Sequence, residues 1–200
     1  HYVYVSSASV YGECLGLIPS EDSEFNPISP YASGKVEVEQ FLLSKKMDYA
    51  GGITVIRATS VFSESLSSRV LSRIRNQATS RKDIVLFGDG SEIRDFIHTD
   101  FFFRALHEIV VFNISTKRSD VFNLGSGFPI SILELTNLAI SSAEGPQAQT
   151  IIFNGGKRLG DPHSMIVSID KINKILTWKM PNQTFKLKEY FSFRQSVFDD

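Results

Sequence analysis

The sequence predicts an α/β fold in which a parallel sheet is covered by helices and carries a small α/β lobe. Three observations lead there. A strand pattern at 2–6 (YVYVS), a helical pattern after Pro30 and a strand pattern at 53–58 (ITVIRA) give the βαβ order of a parallel sheet. The alternation of strand and helix returns from about 95 to 142. The basic stretch before it, the strand at 84–87 and the chain beyond 143 read as additions to that body. The division expected is therefore 1–62, the end of a sheet domain with a chemically equipped helix; 63–98, a lobe segment; 99–142, a return to the sheet domain; and 143–200, the rest of the lobe with a tail.

Each element has its own signal. Residues 2–6 have the aromatic and β-branched content of a buried strand. SSASVYG follows at 6–12, small hydroxyl residues where the carboxyl end of a parallel strand meets ligands, although a plain turn would use the same residues. A loop with Pro19, Pro27 and Pro30 leads to Ser29 as cap and Pro30 as first-turn proline of a helix to about Lys46. Val36, Val38, Phe41, Leu42 and Leu43 are its expected buried face, and Gly51-Gly52 ends it. Val70, Leu71 and Ile74 make one side of the next helix apolar, while Arg69, Arg73, Arg75, Arg81 and Lys82 make it basic. Such a run is a solvated face or a seat for phosphates. A strand at 84–87 closes on a GDG turn, and EIRDFIH reads as one alternating strand, with Thr99 or Asp100 capping a helix to about Phe112. A strand at 121–124, a capping box of Ser131 and Glu134 on a helix to about Ser142, strands at 149–153 and 165–168, a helix from Asp170 to about Leu176 and a final helix from Thr184 complete the expectation.

Composition narrows the classes of function. Lys and Arg number 21 against 22 Asp and Glu, a formal net charge of −1, so no global field draws the chain to nucleic acid or an anionic membrane. Neither partner is expected. Cys14 is the only cysteine, which rules out an internal disulfide and fits a reducing compartment such as the cytoplasm. His1, His98, His107 and His163 form no spaced metal motif, and no metal is expected. No apolar run has transmembrane length.

The chemistry gathers on the helix after Pro30, where Tyr31 and Lys35 stand four positions apart on one face. A phenol beside an ammonium exchanges its proton nearer neutral pH than its ordinary value of about 10 allows, which makes it a general acid or base. An ordinary helix face also brings a tyrosine and a lysine together, so the neighbouring chain has to decide.

Four segments in order, SSASVYG at 6–12, YASGK at 31–35, IRATSVF at 56–62 and GDGSEIRDFIHTD at 88–100, resemble the extended short-chain dehydrogenase/reductase family, in its nucleotide-sugar epimerase and dehydratase group. NLGSG at 123–127 and KRLGD at 157–161 are similar to the family's strand-to-helix turn and its late phosphate-contact segment. The resemblance runs to about Leu176. It implies a Rossmann-like parallel sheet, of which the C-terminal strands and helices are present, with a small α/β substrate-binding lobe. It also implies catalysis by Tyr31 as base, Lys35 holding the nicotinamide ribose and favouring the phenolate, and Ser7 bonded to the sugar hydroxyl. NAD would meet Tyr31, Lys35, Ser6 and Ala58. A nucleotide-sugar would meet Ser7, Ser60, Arg94 and Arg158, the two guanidinium forks suiting its diphosphate. The intact protein would be a cytoplasmic homodimer. An ion pair with Asp95 or Asp100 is the structural alternative for Arg94; turn and cap roles are the alternatives for Asn123 and Ser126, and His98 reads as structural.

The departures from the family pattern refine the expectation. Dehydratases of the group carry acidic residues where this chain has Ala8 and Ser9, and SSASVYG is instead similar to the 4-epimerase pattern. Ser60, Val61, Phe62, Ser63 and Glu64 replace the usual Asn and Tyr-Gly-Pro turn, so a reductase or another sugar epimerase fits as well at the sugar end. No GxGxxG follows a first strand. The expectation is the C-terminal part of a longer NAD-dependent nucleotide-sugar 4-epimerase, inactive by itself. A reductase or dehydratase relative, or a non-catalytic nucleotide-sugar binding module, is the competing reading.

Overall fold

A computed structural model describes residues 1–14, 16–45, 51–66, 68–80, 82–143, 150–156 and 158–192; Lys46, Arg81, Lys157 and the tail beyond Ser192 lie outside them. In order the elements are β1 (Tyr2–Ser7), a 3-10 turn (Ala8–Tyr11), α1 (Pro30–Ser44), β2 (Ile53–Ala58), β3 (Ser60–Phe62), α2 (Arg69–Ala78), β4 (Ile84–Leu86), β5 (Ile93–Arg94), β6 (Phe96–His98), α3 (Thr99–Thr116), β7 (Asp120–Leu124), β8 (Ile130–Ser131), α4 (Ile132–Ser142), β9 (Ile151–Phe153), β10 (Ser164–Met165), α5 (Asp170–Asn173) and α6 (Thr184–Ser192).

The predicted parallel sheet is present, with strand order β1-β2-β7. Every residue of β2 is buried, as befits a strand with a neighbour on each side. Strand β1 departs from the predicted burial: Tyr2, Val3 and Val5 are exposed, because among the described residues β1 pairs on one side only. Helix α1 begins as read, with the Ser29 hydroxyl accepting from the Ala32 amide at 3.2 Å and Pro30 in the first turn. Its inner face is different. Ala32, Val36 and Glu39 are buried, whereas Val38 and Phe41, expected inside, are exposed. What lies beneath a helix selects its face, and beneath Glu39 lies Arg57 of β2.

Helices α2, α4 and α6 share a core with β4, built on Leu71, Ile74, Ile84, Leu135, Leu187 and Tyr190. Helix α3 packs elsewhere, burying Phe102 and Ile109 with Ile56 and Phe122 of the main sheet. The capping box of Ser131 and Glu134 starts α4 as predicted. Helix α3 is capped by His98, one residue earlier than predicted, since its Nδ1 accepts the Asp100 amide at 3.2 Å. Strand β10 ends at Met165, short of the expected Ser168, whose amide donates to the Pro19 carbonyl at 2.9 Å. Helix α5 stops at Asn173.

The stretch EIRDFIH is two strands in two sheets. Strand β5 lies between β10 and β8, β6 pairs with β3, and Asp95 stands between them. The Asp95 carboxylate is buried in the GSG turn, accepting the Ser126 hydroxyl, the Ser126 amide at 3.1 Å and the Gly127 amide at 3.1 Å. Burial pushes its pKa up from the ordinary aspartate value, and these three hydrogen bonds offset part of that. Gly125 is required there, because a Cβ would lie 2.3 Å from the Asp95 carboxylate.

Candidate active site

Lys35 is tied to the sheet from α1: its Nζ donates to the Val5 carbonyl at 2.9 Å and stands 5.6 Å from the centroid of the Tyr31 ring. One of three ammonium protons is thereby used, and the other two meet no acceptor among the described residues. Tyr31 is 62% exposed, its phenol open to whatever approaches the sheet. Ser7 ends β1, and its Oγ caps the following turn by accepting the Ser9 amide at 3.2 Å and the Ser9 hydroxyl at 2.9 Å. In register Ser7 lies beside Ala58, the last residue of β2, and Ser60 follows two residues on. Tyr31, Lys35, Ser7, Ala58 and Ser60 thus gather at the carboxyl ends of parallel strands, where open α/β sheets bind ligands.

Ser6 faces the other way. Its hydroxyl donates to Glu39 in the core, so what Ser6 leaves for a cofactor is its main chain. Glu39 also receives Arg57 through Nε at 2.9 Å and Nη2 at 2.9 Å. Arg57 Nη1 donates to the Tyr11 hydroxyl at 2.7 Å and to the Glu21 carbonyl at 3.0 Å, and Tyr11 donates to Asn123 Oδ1 at 2.7 Å. This buried network joins α1, β2, the VYG turn and β7. Burial raises the Tyr11 phenol above the ordinary tyrosine value, with the Arg57 hydrogen bond pulling the other way. Burial alone would lower Arg57, but its bonds to Glu39 and Tyr11 and their charges leave it raised. The Asn123 side chain also donates to the Pro19 and Ser168 carbonyls, each at 3.2 Å, so its bonds are structural.

Beyond Ser60 opens a cavity of about 360 Å³ whose lining includes Ser60, Arg69, Arg73, Phe87, Arg94 and Arg158. Arg94 is buried and pairs with neither Asp95 nor Asp100. Its Nη2 meets Asp161 Oδ1 at 2.7 Å, and its Nη1 donates to the Ile93 carbonyl at 2.8 Å and the His163 carbonyl at 3.0 Å. Three of its five N–H groups are engaged among the described residues, which leaves two for an anion. Arg158 is exposed, its guanidinium 4.7 Å from the Phe87 centroid, and Arg73 is 5.2 Å from the same centroid. The basic run of α2 therefore has two destinations: Arg69 and Arg73 line the cavity, while Arg75 is buried over the Tyr190 ring at 4.3 Å.

The sequence-predicted residues fall into two groups. Ser60, Arg94 and Arg158 share the cavity; Tyr31, Lys35 and Ser7 lie outside its lining, the first two on α1 and Ser7 at the end of β1. Sequence reasoning missed Phe87, flanked by two arginines, and Glu13, which accepts the His163 amide and the Ser164 amide at 3.3 Å and so fastens the start of β10 to the loop after the VYG turn. The aromatic residue before a GDG turn was a usable signal for the first. Glu13, 150 residues from its partner, gave none.

Fold and site together define a parallel α/β protein with a tyrosine-lysine helix at its strand ends and an arginine-lined cavity alongside. The profile of the NAD dependent epimerase/dehydratase family matches residues 1–125, and the chain belongs to that family. A UDP-glucose 4-epimerase of Lactobacillus helveticus is 29% identical over 199 residues, covering 90% of this chain and 58% of that protein. The solved structure of a UDP-N-acetylglucosamine 4-epimerase from Methanobrevibacter ruminantium, in complex with UDP-N-acetylmuramic acid, is 25% identical with a TM-score of 0.71, covering 94% of this chain and 61% of the other. A UDP-glucuronic acid 4-epimerase from Bacillus cereus, in complex with UDP-glucuronic acid and NAD, shares the fold with a TM-score of 0.77 at 24% identity, over 94% of this chain and 60% of that one. The chain thus spans about three fifths of the length of these proteins.

Proposed function

We propose that the protein carrying this chain is an NAD-dependent nucleotide-sugar 4-epimerase acting by transient hydride transfer at a sugar hydroxyl. The observation that carries this reading is the Lys35 ammonium, bonded to β1 and 5.6 Å from the Tyr31 ring, with Ser7 at the end of the same strand. The residues fit the nicotinamide end of the cofactor: the two Lys35 protons not given to Val5 suit ribose hydroxyls, and the exposed Tyr31 leaves room beside them. NAD, when bound, supplies reversible hydride acceptance. Tyr31 takes the proton of the sugar hydroxyl at its Oη and returns it once the keto-sugar has turned over in the site. The positive charge of Lys35 stabilises the tyrosine oxygen while it is negative, and Ser7 keeps the sugar oxygen in line. Arg94 and Arg158 hold the diphosphate, and Ser60 meets the sugar end of the cavity.

Ala8 and Ser9 offer no carboxylic acid between Ser7 and the VYG turn, which favours epimerisation over dehydration. We infer a cytoplasmic homodimer. The exposed Val38 and Phe41 of α1 support an interface there, the single Cys14 supports a reducing compartment, and no described helix is long and apolar enough to cross a membrane. The test is to incubate the full-length protein with UDP-glucose and follow the sugar by NMR. The 4-epimer is expected to accumulate to a fixed ratio. A 4-keto-6-deoxy product would replace the reading with dehydration, and no conversion across UDP-, GDP-, CDP- and dTDP-sugars would end the enzymatic reading.

A further inference from the structure

The hydrogen bonds at Ser7 deepen the reading above and rest on it. A serine hydroxyl has one proton to give and two lone pairs with which to receive. At Ser7 both lone pairs are engaged by one residue: the Ser9 amide donates at 3.2 Å and the Ser9 hydroxyl at 2.9 Å. The Ser7 proton meets no acceptor among the described residues. Ser9 is fixed for this task, because Ser7 caps the tight turn of Ala8–Tyr11 and Gly12 closes it by donating to the Ser9 carbonyl at 3.1 Å.

We propose that Ser9 is a positioning residue that makes Ser7 a hydrogen-bond donor only, so that Ser7 can give to the reacting sugar oxygen and cannot receive from it. An unrestrained serine would accept the sugar O–H as readily as it donated, and that arrangement points the proton away from Tyr31. With the Ser7 lone pairs filled, the sugar O–H is left to Tyr31. The balance is then direct: the C–H bond breaks with its electron pair leaving as hydride to NAD, the O–H proton passes to Tyr31, and the C=O bond forms. The hydrogen bond from Ser7 strengthens as the oxygen gathers negative charge. The return step runs the same exchanges in reverse on the other face of the sugar.

The variant Ser9→Ala removes the hydroxyl donor and keeps the amide, in a half-exposed residue whose loss leaves no cavity. In the full-length enzyme assayed with UDP-glucose, kcat is expected to fall about three- to tenfold, the range of one hydrogen bond, with KM little changed. Ser9→Thr, which retains the donor, is expected to restore kcat. Adding Ser9→Ala to Ser7→Ala should cost nothing further, since there is no longer an oxygen to position. A merely structural role would give neither the rescue by threonine nor this masking. Full kcat in Ser9→Ala, or independent losses in the double variant, would overturn the inference alone; a wild-type enzyme without epimerase turnover would overturn it together with the proposed function.

Discussion

Replacing Glu39 with alanine would leave the Arg57 guanidinium in the core beneath α1 without its carboxylate. The Glu39 side chain is fully buried and that of Arg57 is 4% exposed, so water does not take over the lost contacts. Two of the arginine's donors, Nε and Nη2, lose their partner, while Nη1 retains Tyr11 and Glu21. Two charge-assisted hydrogen bonds at about 1.5–3 kcal/mol each agree with the roughly 3–5 kcal/mol that breaking a buried ion pair costs. With a urea dependence of about 2–3 kcal/mol per molar, the unfolding midpoint of the intact protein should fall by roughly 1–2.5 M. The double replacement Glu39→Met with Arg57→Met removes both charges and should recover part of that loss, because an apolar pair of similar volume often replaces a buried ion pair without penalty, while the Ser6 hydroxyl and the Glu21 carbonyl each lose a partner. Circular dichroism against urea measures both. A midpoint shift below about 0.2 M in Glu39→Ala, or single losses that simply add in the double variant, would refute the assignment of this pair as one buried unit.

Tyr31→Phe is expected to lower kcat by about 10²–10⁴ while leaving the thermal midpoint unchanged, since the phenol is largely exposed. Arg158→Ala should weaken binding of UDP about tenfold by calorimetry with no change in stability, and Arg158→Lys should recover only part, because a point charge replaces a planar fork. The raised Tyr11 phenol holds its proton more tightly folded than unfolded, so stability is kept below the unfolded value of about pH 10 and lost as pH rises from there towards the folded value. Urea midpoints at pH 9 and 11 should therefore diverge less in Tyr11→Phe than in the wild type; equal divergence would show that Tyr11 is not the source.

Local signals carried much of this into view. The Ser131–Glu134 capping box, the Ser29-Pro30 start and the Tyr31–Lys35 spacing depend on residues within a turn of one another, and each stands as read. What the sequence concealed depends on distant neighbours. A glutamate in a helix reads as solvated until Arg57, 18 residues away, is known to lie under it. Arg94 is 67 residues from Asp161, so the structural alternative to a ligand contact names the nearer Asp95 and Asp100 instead. The apolar letters of β1 promised burial, but a strand's burial is set by what covers it. Asp95 reads as one more step in an alternating strand, and only the fold reveals that the chain changes sheets there.

That change of sheets sets a limit on sequence variation. Arg94 reaches the cavity, Asp95 is bolted into the GSG turn and Phe96 enters the core, three consecutive residues with three different destinations. Adding or deleting one residue here would exchange the faces of a strand in which side chains alternate. The guanidinium would be driven towards the Asp95 seat and the carboxylate towards the arginine-lined cavity. This short span should therefore tolerate replacement far better than any change in its length, and a length change should abolish ligand binding and folding together.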